Sequence, residues 1–314
     1  KGSDLYFDRH DGQAVTTEDF VKAMEDSSGV DLQQFRLWYS QAGTPTLTFS
    51  DQYWADQKRY ELTVKQHVPP TLGQPHKDPM HLPLRLGLLS ESGEPMDVSL
   101  GHESATSEHV CHVNQAEQTF VFSGVASQPI PALLRGFSAP VKCDYDYTDV
   151  QLKTLLAHEK DPFVAWQSGQ ALMTDAILNT YQSLLAGEKT AVDDALSSIF
   201  ISLLGRQDVE PYFCADLLTM PSLSYLCEQI SDIHVAELCD AKQAWMSHVA
   251  ENVYGDFAST YDRLMANPAP YAPTFDQMAQ RRLSNHCLQM MAEMAGVSKE
   301  RNLELCIKVN KEKH

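Results

Sequence analysis

Histidine, cysteine and carboxylate side chains crowd together at three places in this 314-residue chain. The first is His10-Asp11. A catalytic histidine needs an orienting carboxylate across its ring, and adjacent residues rarely point at each other. The stretch Asp8-Arg9-His10-Asp11-Gly12 is polar and ends on glycine, so it reads as a turn leading into a helix. The second place holds His102, Glu108, His109, Cys111 and His112. On a strand, His109 and Cys111 face one side and His112 the other, so a strand does not aim His109 and His112 at one metal, whereas a loop could. The stretch reads as an exposed polar hairpin, with a metal site of His102, His109, Cys111 and His112 as the rival. The third is His158-Glu159, which resembles the start of a zinc-protease helix. That motif needs a second histidine one turn later, with its glutamate activating water. Position 162 is Pro, and His102-Glu103 fails in the same way.

No His-Glu-x-x-His, Gly-x-Ser-x-Gly, phosphate-cradling loop or Gly-x-Gly-x-x-Gly occurs anywhere in the chain. The residue pattern therefore predicts no catalytic residue and no metal ligand. The formal charge of −18 disfavours nucleic acid and anionic membrane surfaces. No run reaches the ~18–20 apolar residues of a membrane span. The seven cysteines (111, 143, 214, 227, 239, 287, 306) form no Cys-x-x-Cys pair. They read as free, mostly buried thiols in a reducing, cytoplasmic compartment.

The elements behind these residues change period along the chain, giving a mixed fold of all-β and all-α parts. Residues 17–43 read as helical. Thr17 is the expected cap, Phe20 and Met24 share a face, and Gly29 is a stop. A second helix is expected from Asp31, carrying Phe35, Leu37, Trp38 and Tyr39, with Gly43-Thr44-Pro45 as its breaker. From Thr46 to about Tyr145 apolar residues alternate, as in Leu47/Phe49, Tyr60/Leu62/Val64, Leu82 to Leu88, Met96/Val98/Leu100 and Phe120/Phe122. Ala132 to Leu134 and Val141/Cys143/Tyr145 complete about seven short strands. One-sided alternation predicts two sheets face to face, an immunoglobulin- or fibronectin-like sandwich. Pro83, Pro129 and Pro131 place their strands at edges.

From Thr148 onward the spacing is helical. Asp161-Pro162 is a cap with proline at the first helical position. Phe163, Trp166, Met173, Ile177, Tyr181 and Leu184 follow as a core face, and Gly187 ends the helix. Further helices are expected over 192–204, 209–218, 222–230, 232–265, 274–295 and 298–309, forming an α-solenoid or large bundle. Met290, Met291 and Met294 read as core. The absence of an initiator methionine and of a polar helical cap leads to the expectation that the chain is a piece of something longer. Its apolar ends, Leu5 to Phe7 and Leu303 to Val309, would then be faces open to self-association.

Three stretches resemble the bacterial aminopeptidase N family of gluzincin-type zinc metallopeptidases. Lys1 to Gly12 with Thr17-Glu18-Asp19-Phe20 is similar to the last segment of its peptidase domain. Phe35-x-x-Trp38-Tyr39-Ser40-Gln41-Ala42-Gly43-Thr44-Pro45 is similar to the helix leaving that domain. Asn114 to Phe122, with Pro129-x-Pro131-Ala132-Leu133-Leu134-Arg135-Gly136-Phe137-Ser138-Ala139-Pro140-Val141-Lys142, is similar to its β-sandwich. The helical half resembles the family through fragments such as Asp161-Pro162-Phe163 and Arg281-Arg282-Leu283-x-Asn285.

The resemblance implies C-terminal helices of a thermolysin-like peptidase domain at 1–44, a β-sandwich at 45–146 and the N-terminal part of a truncated helical solenoid at 147–314. It implies a whole protein that uses zinc to release N-terminal residues from peptides. In that family the zinc ligands, the water-activating glutamate, the oxyanion tyrosine and a Gly-Ala-Met-Glu-Asn amine site belong to a segment preceding these stretches. None is found in this chain, and Tyr6 does not take the tyrosine's role. The expectation is a fragment that scaffolds and encloses an active site, is inactive alone, binds no zinc and meets its peptidase domain and peptides as partners. The rival is a non-enzymatic peptide- or protein-binding module of sandwich and solenoid.

Overall fold

The computed structural model describes residues 1–188, 192–206, 209–266 and 270–293. These residues fall into two compact units that divide between Tyr147 and Thr148. The expected helix over 298–309, Met294 and Cys306 lie outside the described residues.

The first unit opens with helices α1 (Gly2–His10) and α2 (Thr17–Ser28). They pack through Tyr6 against Phe20, with ring centroids 5.3 Å apart. The turn expected over residues 8–12 is thus confined to Asp11 and Gly12, because Leu5-Tyr6-Phe7 sits inside α1. The cap of α2 is Thr16, not Thr17. Asp19 stands three residues beyond it, and the Thr16 amide and hydroxyl both donate to Asp19 Oδ2, at 2.8 and 2.9 Å. Gly29 ends the helix at φ +70°, a left-handed position where a Cβ is strained. The helix expected from Asp31 is reduced to a short α3 (Leu37–Ser40). Residues before it are held by side chains instead. Arg36 Nε donates to both oxygens of Glu18 at 2.9 Å, and its terminal nitrogens reach Glu25 at 3.1 and 3.2 Å.

Eight strands follow. One sheet has the order β4 (Ser99–Leu100), β6 (Glu117–Ser123), β2 (Arg59–His67), β1 (Thr46–Trp54), β8 (Lys142–Asp144). The other has the order β5 (His109–Val113), β3 (Leu82–Leu89), β7 (Ile130–Leu133). β1 and β2 form an antiparallel hairpin from Thr46↔His67 to Trp54↔Arg59, and β8 joins β1 in parallel. The expected alternation holds: Leu47, Tyr60, Leu62, Val64 and Phe122 of one sheet and Leu82, Leu84, Leu86 and Leu88 of the other are buried. Each such side chain contributes about 2 kcal/mol of transfer free energy.

The structure corrects two strand expectations. His109–Val113 is a strand and not an exposed polar hairpin, since His109, Cys111 and Val113 are buried in alternation. β3, which contains Pro83, is the central strand of its sheet. It tolerates proline because β7 pairs only with Leu86–Leu89. The amide of Arg85, two residues on, points away from β5 to donate to Ser138 Oγ, so Pro83's missing donor faces the same unpaired side. Pro131 lies in β7, which is an edge strand as expected.

The second unit is helical: α4 (Asp149–His158), α5 (Pro162–Leu185), α6 (Ala195–Gly205), α7 (Pro211–Leu217), α8 (Leu223–Glu228), α9 (Val235–Met265) and α10 (Phe275–Ala292). The starts are chemically marked. Asp161 accepts from the Phe163 and Val164 amides at 3.1 Å, Ser222 accepts from Tyr225, and Thr274 from Gln277. α5 and α9 are joined where Trp245 Nε1 meets Ala176 O and Thr180 Oγ1, at 3.0 and 2.9 Å. Met173, Ile177, Tyr181, Met290 and Met291 are core as expected. Trp166 is not: it is 38% exposed, because the buried stripe of α5 runs through Val164, Ala165, Ser168 and Gly169.

Candidate functional site

The three sequence candidates lie on different elements. His10 ends α1 with its ring 5.6 Å from Tyr6, and Asp11 follows as the cap residue, its amide donating to Phe7 O. His102 is exposed in the turn after β4. His109 points into the core, edge-on to Phe122 with ring centroids 5.4 Å apart, and its Nε2 meets Thr106 O at 3.1 Å. Cys111 is buried beside it, and burial pushes its thiol up to about 12, which makes it a poor thiolate ligand at neutral pH. His112 faces outward. His158 ends α4, and Glu159 turns its carboxylate to the Asp161 amide at 2.8 Å, bracing the start of α5.

His112 has a partner that sequence spacing does not show. His81 precedes β3 by one residue, and the register Pro83↔His112 brings the two rings to one outer face. His81 Nε2 lies 2.9 Å from His112 Nδ1, and burial, then the neighbouring His112, hold His81 below the usual imidazole value. The backbone beneath them is pinned from the helical segment. Trp38 Nε1 donates to His81 O at 3.2 Å, and Gln34 Nε2 donates to Pro79 O and Asn114 O at 2.9 and 2.7 Å.

Gln34 is one of four glutamines that replace strand pairing where the helices meet the sandwich. Gln41 exchanges two bonds with the Asp78 peptide, at 2.9 and 2.8 Å. Gln66 takes the Met80 amide and donates to Met80 O and Gln115 O. Gln74 takes the Ala42 amide and donates to Ser40 O. The Lys77 ammonium completes the junction on Ala42 O, Thr71 Oγ1 and Gln74 Oε1, all within 2.8 Å. The bonds of Gln34, Gln41, Gln74 and Lys77 leave residues 34–44 little freedom against the sandwich.

In the second unit a cleft of about 230 Å³ is lined by Asp149, Lys153, Asp175, Asp193, Thr180 and Trp245. Burial, with the Asp149 charge adding to it, raises the Asp175 carboxyl above the usual carboxylate value. His248 Nε2 and Asp194 Oδ1 stand 3.0 Å apart and tie α9 to the start of α6. Among the described residues no three or more His, Cys, Asp or Glu converge to hold a metal ion. The donor set that a catalytic zinc requires, three protein ligands around an open position, is therefore not assembled by the described residues. No helix among them is long and apolar enough to cross a membrane.

Two family models match this chain. A domain of unknown function with an Ig-like fold, DUF3458, matches residues 43–146, and a domain of unknown function described as ARM repeats, DUF3458_C, matches 149–309. Aminopeptidase N of Escherichia coli (strain K12) is 36% identical over 293 residues, 93% of this chain and 33% of that protein. Aminopeptidase N of Haemophilus influenzae is 35% identical over 292 residues, again 93% and 33%. The crystal structure of Legionella pneumophila aminopeptidase A in complex with aspartic acid superposes with a TM-score of 0.81 at 26% identity, covering 98% of this chain and 34% of that one. The chain thus spans about a third of the length of the curated relatives it matches.

Proposed function

Since the chain belongs to the DUF3458 and DUF3458_C family, an Ig-like domain followed by ARM repeats, and is homologous to aminopeptidase N, we propose that it is the non-catalytic scaffold of a zinc-dependent aminopeptidase. The whole protein releases N-terminal residues from peptides. The β-sandwich and helical units position and enclose the active site, and a peptidase domain and peptides are their partners. The observation that carries this reading is the 36% identity running through both units in one span of 293 residues. The chemistry of the chain agrees with it. His-Glu-x-x-His is absent from the sequence, so zinc binding and water activation are assigned to the peptidase domain. The six described cysteines are all free, which supports a reducing compartment, the cytoplasm.

The test has two arms. The isolated chain is expected to leave an alanyl chromogenic substrate intact and to carry no stoichiometric zinc by elemental analysis. Turnover together with one zinc per chain would overturn the assignment. In the second arm this chain replaces the matching third of the E. coli enzyme. The chimera is expected to hydrolyse the substrate where the enzyme deleted of that third does not. A well-folded chimera no more active than the deletion would refute the scaffold role.

A further inference from the structure

The outward pair His81 and His112 belongs to neither the sandwich core nor the proposed peptidase chemistry. Its two facing ring nitrogens are 2.9 Å apart. Two imidazoles bound cis, at right angles, to a first-row transition metal with bonds of about 2.1 Å place their nitrogens about 3.0 Å apart, whereas tetrahedral binding needs about 3.4 Å. The observed spacing is nearer the first, with the two nitrogens now meeting almost head-on in a hydrogen bond, ring centroids 5.1 Å apart. We propose that His81 and His112 form a two-histidine chelate for a divalent transition ion that favours right-angled coordination, Cu²⁺ or Ni²⁺ over Zn²⁺, with water completing the shell.

Three further observations support the site. The rings sit on an outer face, His112 exposed and His81 half-buried, so an ion and its waters have access. The carbonyl bonds from Trp38 and Gln34 already immobilise the backbone on both sides, so little ordering remains to be done on binding. The chain's charge of −18 favours approach of a cation. Capture requires a tautomer shift and a tilt of both rings that turns their lone pairs from each other toward one ion. The ring that now donates its N–H to the other passes that proton to its own distal nitrogen, freeing a lone pair on each facing nitrogen, with no net proton release. The bound ion would then clip the start of β3 to β5.

The experiment is a calorimetric titration of the chain with Cu²⁺ and, separately, Ni²⁺, in a weakly coordinating buffer at neutral pH. One equivalent is expected to bind. His81→Ala and His112→Ala are each expected to weaken it about tenfold or more, since each leaves a single ligand in place of a linked pair. His102→Ala serves as the control and is expected to match the wild type. Electron paramagnetic resonance of the Cu²⁺ complex is expected to show two equatorial nitrogen couplings, falling to one in either variant. Binding unchanged by both substitutions, or no binding at the pair by either readout, overturns the proposal. Because no activity is read, its failure leaves the aminopeptidase assignment standing, and the reverse also holds.

Discussion

His286 on α10 makes the helical unit acid-labile in a defined window. Its ring lies against Phe257, with centroids 6.4 Å apart, and bonds to the Leu218 backbone, while its Nε2 is buried with no partner. Burial, reinforced by the Arg282 charge, lowers its proton affinity to about 4. In the unfolded chain the same ring titrates near about 6.5. The folded value is the depressed one, so the folded state resists protonation that the unfolded state accepts. Stability is therefore full above about pH 6.5, falls as the pH drops toward about 4, and levels off below. A gap of about 2.5 pH units corresponds to about 3 kcal/mol, an order-of-magnitude figure for this one ring. Amide hydrogen exchange along α10, measured from pH 7.5 to 4.5 in the wild type and in His286→Gln, isolates the effect. The glutamine keeps a donor for Leu218 and cannot titrate. The opening free energy of the wild type is expected to fall more steeply than the variant's by that amount. Parallel curves for the two proteins would refute the reasoning.

Other consequences are as direct. Gly87→Ala puts a Cβ into the guanidinium of Arg135, which lies over β3 and donates to Ser107 O. Displacing this buried charge is expected to cost the sandwich about 2–4 kcal/mol in urea denaturation. Asp161→Ala removes the acceptor of two amides at the start of α5 and is expected to cost about 1 kcal/mol, read as a lowered Tm. With iodoacetamide, the half-exposed Cys227 and Cys239 are expected to alkylate first, as followed by mass spectrometry. Cys111, Cys143 and Cys287, with thiols pushed up to about 12, and Cys214, at about 11, are expected to react late.

Period and punctuation carried most of the architecture. Alternation at Leu82 to Leu88 and at Tyr60 to Val64 marks real sheet faces, and Asp161-Pro162 marks a real helix start. The misreadings have physical causes. The segment from His109 to Val113 looks polar by residue type, yet an imidazole that finds one carbonyl and one aromatic edge can be buried. Pro83 reads as an edge signal because sequence does not show that β7 is shorter than the strand it flanks. Trp166 reads as core because aromatic size outweighs its place on the helix wheel. The His81–His112 pair was illegible for a different reason. Cross-strand neighbours 31 residues apart follow from register, and register is decided by the packing of the whole sandwich. The glutamine junction is hidden likewise, because an amide side chain that mimics a peptide group leaves no periodic trace.

That junction and the Glu18–Arg36–Glu25 clamp fasten the same helical segment by opposite means. The clamp is ionic: salt screens it, and acid that protonates Glu18 and Glu25 dissolves it. Gln34, Gln41 and Gln74 carry no charge, so their hold on residues 34–44 is indifferent to ionic strength and to mild acid. The two fastenings therefore let go in sequence. As salt rises, α2 slackens from the loop carrying Arg36 while the loop itself stays stitched to the sandwich. The buried Val21 and Ala23 of α2 are untouched by either change, so salt loosens only the ionic part of this fastening.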